Sequence, residues 1–288
     1  MAAPTGIVGR KRTSTGMLIV MYTVCIFLAL LSIFPFLVMI VNSTRSTVEI
    51  QAHAISLVPS KYLFDNIDIL TSKDMFVPWR GFLNSGIISI GSTVLSLYFS
   101  TLTAFAVVAY RWKLRNAFYG FIIAVMMLPA QVSGIGFVQF MYQIDMVNSL
   151  LPLIIPAIAA PGTVFFMRQF MLASLPMEIL QSARVDGAGE FRTFNQIVLP
   201  IMKPALATQA IFGFVGSWNQ LFMPQVLLTD KTKYTMPIMI SLLRGDIYKV
   251  EFGAIYAGCL LTAVPLIIVY LILSKYIIAG VALGGVKG

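Results

Sequence analysis

The chain has 288 residues, of which 58% are hydrophobic and only 11% charged, against about 25% charged in soluble domains. That balance excludes an ordinary water-soluble fold and points to a surface covered largely by lipid. The net charge of +9 does not point to nucleic acid, because the basic residues flank apolar runs instead of gathering into a patch.

In chain order the uncharged runs are 13–44, 81–110, 116–144, 146–167, 205–229 and 252–274. Each is longer than the roughly 20 residues that cross a ~30 Å hydrocarbon core. An all-α, polytopic bundle of six transmembrane helices is expected, forming a single domain over 1–288 with its core at 81–277. The first run follows Arg10, Lys11 and Arg12, as a signal peptide would. Signal apolar regions stop after roughly 7–15 residues at a small-x-small site. This one continues from Met17 to Val41 without such a site and reads as a retained helix.

The outer segment 45–80 carries Pro59, Asp65, Asn66, Asp68 and Pro78, which predict turns and short helices. Trp79 and Trp112 bracket the second span as interfacial anchors. The third span contains Pro129, Gln131, Ser133, Gly134, Gly136 and Gln139, and the two glycines read as a helix break. Asp145 is the lone charge in the short link to the fourth span. In the fifth span Gln209, Gly213, Gly216 and Gln220 recur at helical spacing, lining one face with small and polar groups. That stripe serves either close helix packing or the wall of a solute pathway. Trp218, beside Asn219 and Gln220, is open to the same two readings. Cys25 and Cys259 both fall within spans and read as small core residues.

Orientation follows from charge. With the N-terminus, 111–115, 168–203 and 275–288 on one side, that side holds twelve basic residues against Glu178, Asp186 and Glu190. The other side holds eight residues of each sign, so the whole +9 lies on one face. The positive-inside rule makes that face cytoplasmic, with both termini on it.

The absent chemistry is informative. His53 is the sole histidine, so no histidine-based metal site or catalytic triad is available. No Gly-x-x-x-x-Gly-Lys-Ser/Thr sequence occurs, so no P-loop nucleotide site is expected. No ionisable residue lies deep in a span, which argues against a proton-coupled secondary carrier.

The segment 173–204 is a polar island between two apolar spans. Pro176 opens a short helix in which Ile179, Leu180 and Ala183 share a face. Asp186-Gly187 ends it, since glycine tolerates the left-handed conformation. Glu190 opens a second helix with a carboxylate near its positive end. Phe191, Phe194, Ile197 and Val198 give that helix an apolar side, and Pro200 and Pro204 bend the chain into the fifth span. The result is a helix pair lying along the membrane, either as a plain interfacial cover or as a surface on which a soluble protein docks.

Gln181-Ser182-Ala183, Gly187 and Ile197-Val198-Leu199-Pro200 resemble, at matching spacing, the cytoplasmic EAA loop of permease subunits of binding-protein-dependent ABC importers. Lys203-Pro204-Ala205, Gly216-Ser217-Trp218-Asn219, Leu227-Leu228-Thr229-Asp230 and Gly284-Gly285-Val286-Lys287-Gly288 resemble the carbohydrate branch, that of the maltose and oligosaccharide permeases. The resemblance implies the type I importer fold and import of di- or oligosaccharides, with a glycerol phosphate or polyol solute as the alternative in the same family. It implies no catalytic residue and no cofactor in this chain, with ATP and Mg on partner ATPase subunits. The implied partners are a second homologous permease, two ATPase subunits, an extracytoplasmic solute-binding protein and membrane lipid, in the bacterial cytoplasmic membrane. Glu178, Gln181, Ser182, Ala183, Asp186 and Gly187 would form the ATPase-docking element. Gly284, Gly285 and Lys287 of the cytoplasmic tail 279–288 would reach the ATPase. Gln131, Gln139, Gln209, Trp218, Asn219 and Gln220 are the pathway candidates. Gln181 and Ser182 depart from the family's Glu-Ala, which removes a charge but keeps the steric profile.

Overall fold

The structure, a computed structural model, describes residues 15–72, 76–244 and 250–284, so Arg10, Lys11, Arg12, Gly285 and Lys287 lie outside the described residues. Among these the chain is helical without a strand. α1 (Thr15–Ser43) leads into the short outer helices α2 (Thr47–Ala52) and α3 (Leu63–Ser72), and α4 (Pro78–Ala109) returns across the membrane. α5 (Arg115–Met126), α6 (Ala130–Gln143) and α7 (Leu151–Ile154) follow, with a 3-10 turn at Ile155–Ile158 before α8 (Pro161–Ser174). α9 (Met177–Val185), α10 (Glu190–Thr193), a π-helical turn at Phe194–Val198 and α11 (Leu199–Ile201) make the cytoplasmic segment. α12 (Lys203–Trp218), α13 (Phe222–Leu227), α14 (Met236–Arg244) and α15 (Phe252–Gly284) complete the chain.

Six uncharged runs do not become six unbroken helices. Four helices are long and apolar enough to cross a membrane: Thr15–Ser43, Pro78–Ala109, Leu151–Ser174 and Phe252–Lys275. A fifth candidate is the bent pair Glu190–Ile201 and Lys203–Trp218, which meet at 78°. The third run divides into α5 and α6 at Met127–Pro129, not at the glycines. Gly134 and Gly136 sit inside continuous helix. Proline disfavours helical geometry in the residue before it, and α5 accordingly stops short of Leu128, while Pro129 caps α6 in extended conformation with ψ 123°. The predicted tail also changes, because α15 stays helical through Gly284.

α4 is the mast of the bundle, packed along its length by α12 and α8. At its C-terminal end Phe105 joins Met167, Met171, Leu180, Phe194 and Met202 in an apolar cluster. At its outer end Phe82 meets a second cluster built from Leu70, Phe76, Phe214, Trp218, Met236 and Met239. Between the two, α4 buries hydroxyls: Ser85, Ser89, Ser92, Thr93, Ser100 and Thr101. Small hydroxylated side chains let helices approach closely and exchange hydrogen bonds in lipid. Ser92 Oγ donates to Ser217 Oγ at 3.0 Å, and Ser96 Oγ to Thr163 Oγ1 at 3.3 Å. α1 has the opposite character. It is exposed along nearly all its length, Cys25 included, and is buried only at Asn42 and Ser43.

Polar knots close the outer face. The Arg45 guanidinium, 6% exposed, donates to Asn42 Oδ1 and to the carbonyls of His53 and Glu49 at 2.7–2.9 Å. Asn66 Nδ2 donates to the carbonyls of Ser43 and Arg45. α15 passes so near that a Cβ on Gly253 would lie 2.5 Å from the Arg45 carbonyl oxygen, which explains glycine there. Asn148, at φ 59°, is the second knot. Its Oδ1 accepts from the backbone N–H groups of Thr229 and Asp230, and its carbonyl accepts from Lys233 Nζ. This joins the α6–α7 link to the α13–α14 link.

Candidate functional site

The polar helix pair, expected on the cytoplasmic side, is built on α8. Leu175 and Pro176 turn the chain out of α8, and Pro176 caps α9 with ψ 120°. Leu180 and Ala183, three apart, are the inward face of α9. Glu178, Gln181, Ser182, Asp186 and Gly187 are exposed on the other. Two expectations are corrected here. Ala183 belongs to the packed face and not to the outward docking face. Ile179 is exposed, because the face of α9 that meets the bundle is Met177, Leu180 and Ala183, at i, i+3 and i+6.

Gly187 ends α9 as expected, at φ +76°. The Ala188 N–H donates to the Ala183 carbonyl and the Gly187 N–H to the Arg184 carbonyl, so the end of the helix is closed by glycine in the left-handed region. Side chains other than glycine cost roughly 1–2 kcal/mol in that conformation. A Cβ at Gly187 would meet nothing, so backbone conformation alone requires glycine. Three apolar groups of the pair are exposed: Ile179 and Phe191 (71%), which periodicity had assigned to apolar faces, and Val185 (87%), which it had not. Apolar side chains bared beside a polar helix face are what a protein-docking surface presents.

The pair is fastened to α4. Arg184 Nε donates to Glu190 Oε1 at 2.8 Å, and the Tyr110 hydroxyl donates to Glu190 Oε2 at 2.5 Å. The Arg184 guanidinium lies 5.3 Å from the Tyr110 ring centre, completing a triangle. Burial and the neighbouring Glu190 carboxylate push the Tyr110 hydroxyl up to about 12. The hydrogen bonds from Arg184 and Tyr110 hold the Glu190 carboxyl below its ordinary range. Deeper in, Phe194 lies edge-on to Tyr98 at 5.6 Å and tilted against Phe105 at 5.7 Å. Glu190 is therefore more than a helix-dipole charge: it links α9, α10 and the foot of α4.

The pathway candidates separate. Trp218, 3% exposed, belongs to the outer core. Its Nε1 donates to the Thr262 carbonyl at 3.1 Å, and its ring stacks on Phe214 at 5.5 Å. It lines neither of two cavities found beside it. Gln220, Gly213 and Gly216 line the first, of about 450 Å³, together with Thr93, Ser217 and Phe137. Asn219 lines the second, of about 380 Å³, with Ser241 and Thr262. Gln139 is exposed and Gln209 half-buried, and both lie away from these cavities. Gln131 falls in the first turn of α6. Thr93 and Ser217 were missed. The serine- and threonine-rich stretch of α4 was the signal available in the sequence.

The described residues make a helical, multi-pass membrane subunit that exposes a polar helix pair between two of its apolar segments. The sequence comparisons place it more closely. Residues 96–282 match the family described as binding-protein-dependent transport system inner membrane component. The chain belongs to that family and is a non-enzymatic permease component of ABC transporters. It is 37% identical over 265 residues to the arabinooligosaccharide transport system permease protein AraQ of Halalkalibacterium halodurans, covering 91% of this chain and 94% of that one. The AraQ protein of Bacillus subtilis is 33% identical over 264 residues, covering 91% and 92%. The sn-glycerol-3-phosphate transport system permease protein UgpE of Escherichia coli is 31% identical over 258 residues, covering 86% and 90%. A chain of a bacterial ABC transporter involved in the import of the acidic polysaccharide alginate superposes with a TM-score of 0.78 over 94% of this chain and 99% of that one. At 21% sequence identity, that likeness speaks for the type I permease fold alone.

Proposed function

We propose that the chain forms half of the membrane pathway of an ATP-driven importer of uncharged oligosaccharides. It is a single permease domain, paired with a second homologous permease and fed by an extracytoplasmic solute-binding protein. Two ATPase subunits carry ATP and Mg. Both termini face the cytoplasm, and Gly284, Gly285 and Lys287 of the tail reach toward the ATPase pair. Glu178, Gln181, Ser182, Asp186 and Gly187 dock into the ATPase, with Ile179, Val185 and Phe191 covered at the rim. Nucleotide-driven movement of the ATPases shifts the helix pair and biases the bundle between outward-open and inward-open states.

One observation carries this reading: an exposed helix ending on a positive-φ glycine, with bare apolar groups around it and an ionic fastening behind it. The test is Gly187→Leu in the complete complex. Uptake is expected to fall more than about tenfold and ATPase co-purification to weaken, because the ~1–2 kcal/mol backbone cost falls on the docking turn itself. Unchanged uptake and unchanged co-purification would reject the docking assignment. The second reading, import of a glycerol phosphate, is favoured only by the likeness to UgpE.

A further inference from the structure

We infer that the cavity beside the hydroxyl seam of α4 is a recognition site within this chain for one uncharged, hydroxyl-bearing ring of the solute. The inference rests on the importer reading and adds to it where in this subunit the solute is held and by which groups. The cavity, about 450 Å³, falls within the ~300–1,000 Å³ of small-molecule sites. It lies between α4, α6, α7, α12 and α13, and none of its lining residues is charged.

Thr93 marks it as more than a packing gap. The residue is 8% exposed, and its Oγ1 is buried without a hydrogen-bond partner. A hydroxyl in that state is costly unless something occupies the space beside it, since buried polar groups are nearly always satisfied. Across the gap the backbone of α12 is stripped to glycine. A Cβ on Gly213 would sit 3.5 Å from Thr93 Oγ1, and a Cβ on Gly216 would enter open space. Ser217 and Gln220 add a hydroxyl and a carboxamide, and Phe137 an aromatic ring. Hydroxyls and an amide that both donate and accept suit a polyol ring, whose own hydroxyls do the same. A phosphate or carboxylate would be desolvated here without a cation, which low-dielectric surroundings penalise heavily. The lining therefore selects a neutral solute.

The experiment uses proteoliposomes holding this chain with its second permease, its ATPase pair and its binding protein. They are offered an uncharged arabino-oligosaccharide and, separately, sn-glycerol 3-phosphate. Thr93→Val keeps the side-chain shape and removes the hydroxyl. It is expected to raise the oligosaccharide concentration for half-maximal uptake about 3- to 10-fold, the loss of one hydrogen bond, while Thr93→Ser stays within about twofold of wild type. Gly216→Leu, which favours the helix and fills the cavity, is expected to cut uptake more than about tenfold with the complex still assembled. Uptake unchanged in both Thr93→Val and Gly216→Leu, as a lipid-filled crevice would give, overturns the site and leaves the importer reading standing. Preferential uptake of sn-glycerol 3-phosphate overturns the neutral solute class. Wild-type vesicles that accumulate neither solute, nor any of a panel of other uncharged di- and oligosaccharides, overturn the importer reading, and the site with it.

Discussion

The cytoplasmic foot of α4 and its middle meet their neighbours with opposite chemistries. At the foot, Glu190 accepts charge-assisted bonds from the Tyr110 hydroxyl at 2.5 Å and from Arg184 Nε at 2.8 Å. At mid-length the contacts are hydroxyl to hydroxyl, Ser92 to Ser217 and Ser96 to Thr163. Water is close at the foot, so ions are cheap to place, and long side chains can span from one helix to another. In the middle, ions are expensive and only small neutral groups let helices pack. One helix therefore carries an ionic tie at one end and a neutral hydroxyl seam in the centre.

The sharpest break of this contrast comes from two phenylalanines three residues apart. Phe194→Ala removes a fully buried ring from the aromatic floor and is expected to cost about 3–5 kcal/mol, read as a lower melting temperature of the purified complex. Phe191→Ala removes an exposed ring and is expected to leave melting within about ±0.5 kcal/mol while weakening ATPase association. Equal melting losses would show that Phe191 is packed and not a docking group.

A smaller effect is expected at the triangle. Arg184→Ala breaks a half-exposed ion pair worth about 0.5–1 kcal/mol, so the complex should survive. The ATP hydrolysed per solute imported should rise roughly two- to fivefold, because the helix pair then moves with less purchase on α4. An unchanged ratio would show that α4 is not pulled through this tie.

The tie also predicts a pH response. Glu190 has a lowered pKa, so its contribution is complete above the ordinary carboxylate range and lost as pH falls below it. Tyr110 is raised from 10.0 to about 12, so its contribution is complete below its ordinary value and lost as pH rises through about 12. The triangle should hold across the whole neutral range. Ultraviolet phenolate titration of wild type against Tyr110→Phe should show one late-titrating tyrosine missing in the variant. The smallest effect is expected in the seam: Ser92→Ala with Ser217→Ala removes both partners together and should shift stability by less than about 1 kcal/mol.

Much of this architecture was legible in the residues. Charge-free runs located the four long apolar helices and the bent fifth, though not the division of 116–144 into α5 and α6, and Asp186-Gly187 located the end of α9, because these depend on local chemistry. The prolines at 200 and 204 foretold the bend before α12. Contacts across long sequence separations were not legible. Tyr110 and Glu190 are 80 residues apart, and nothing local to either names the other. Trp218 was open to both packing and pathway readings because its neighbours are polar, and a half-turn of helix decides whether a ring meets the core or a cavity. Thr93 carried no signal beyond its membership of a hydroxyl-rich helix, since an unsatisfied oxygen is a property of its surroundings. The third span broke at Met127–Pro129 instead of at Gly134 and Gly136; proline disfavours helical geometry before it, although Pro35 and Pro265 sit inside continuous helices, whereas glycine only tolerates alternatives.

The right-angled joint between α11 and α12 gives the molecule a bell crank. Its horizontal limb, Glu190–Ile201, is about 18 Å long and its upright limb, Lys203–Trp218, about 24 Å, at 1.5 Å per residue. If the 78° corner stays stiff, a tug in the plane of the bilayer on the lower limb reappears as a tilt at the top of the upper one, where Gly213 and Gly216 stand. Stiffness at two prolines, not length or polarity, then sets how far a nudge from below can reach.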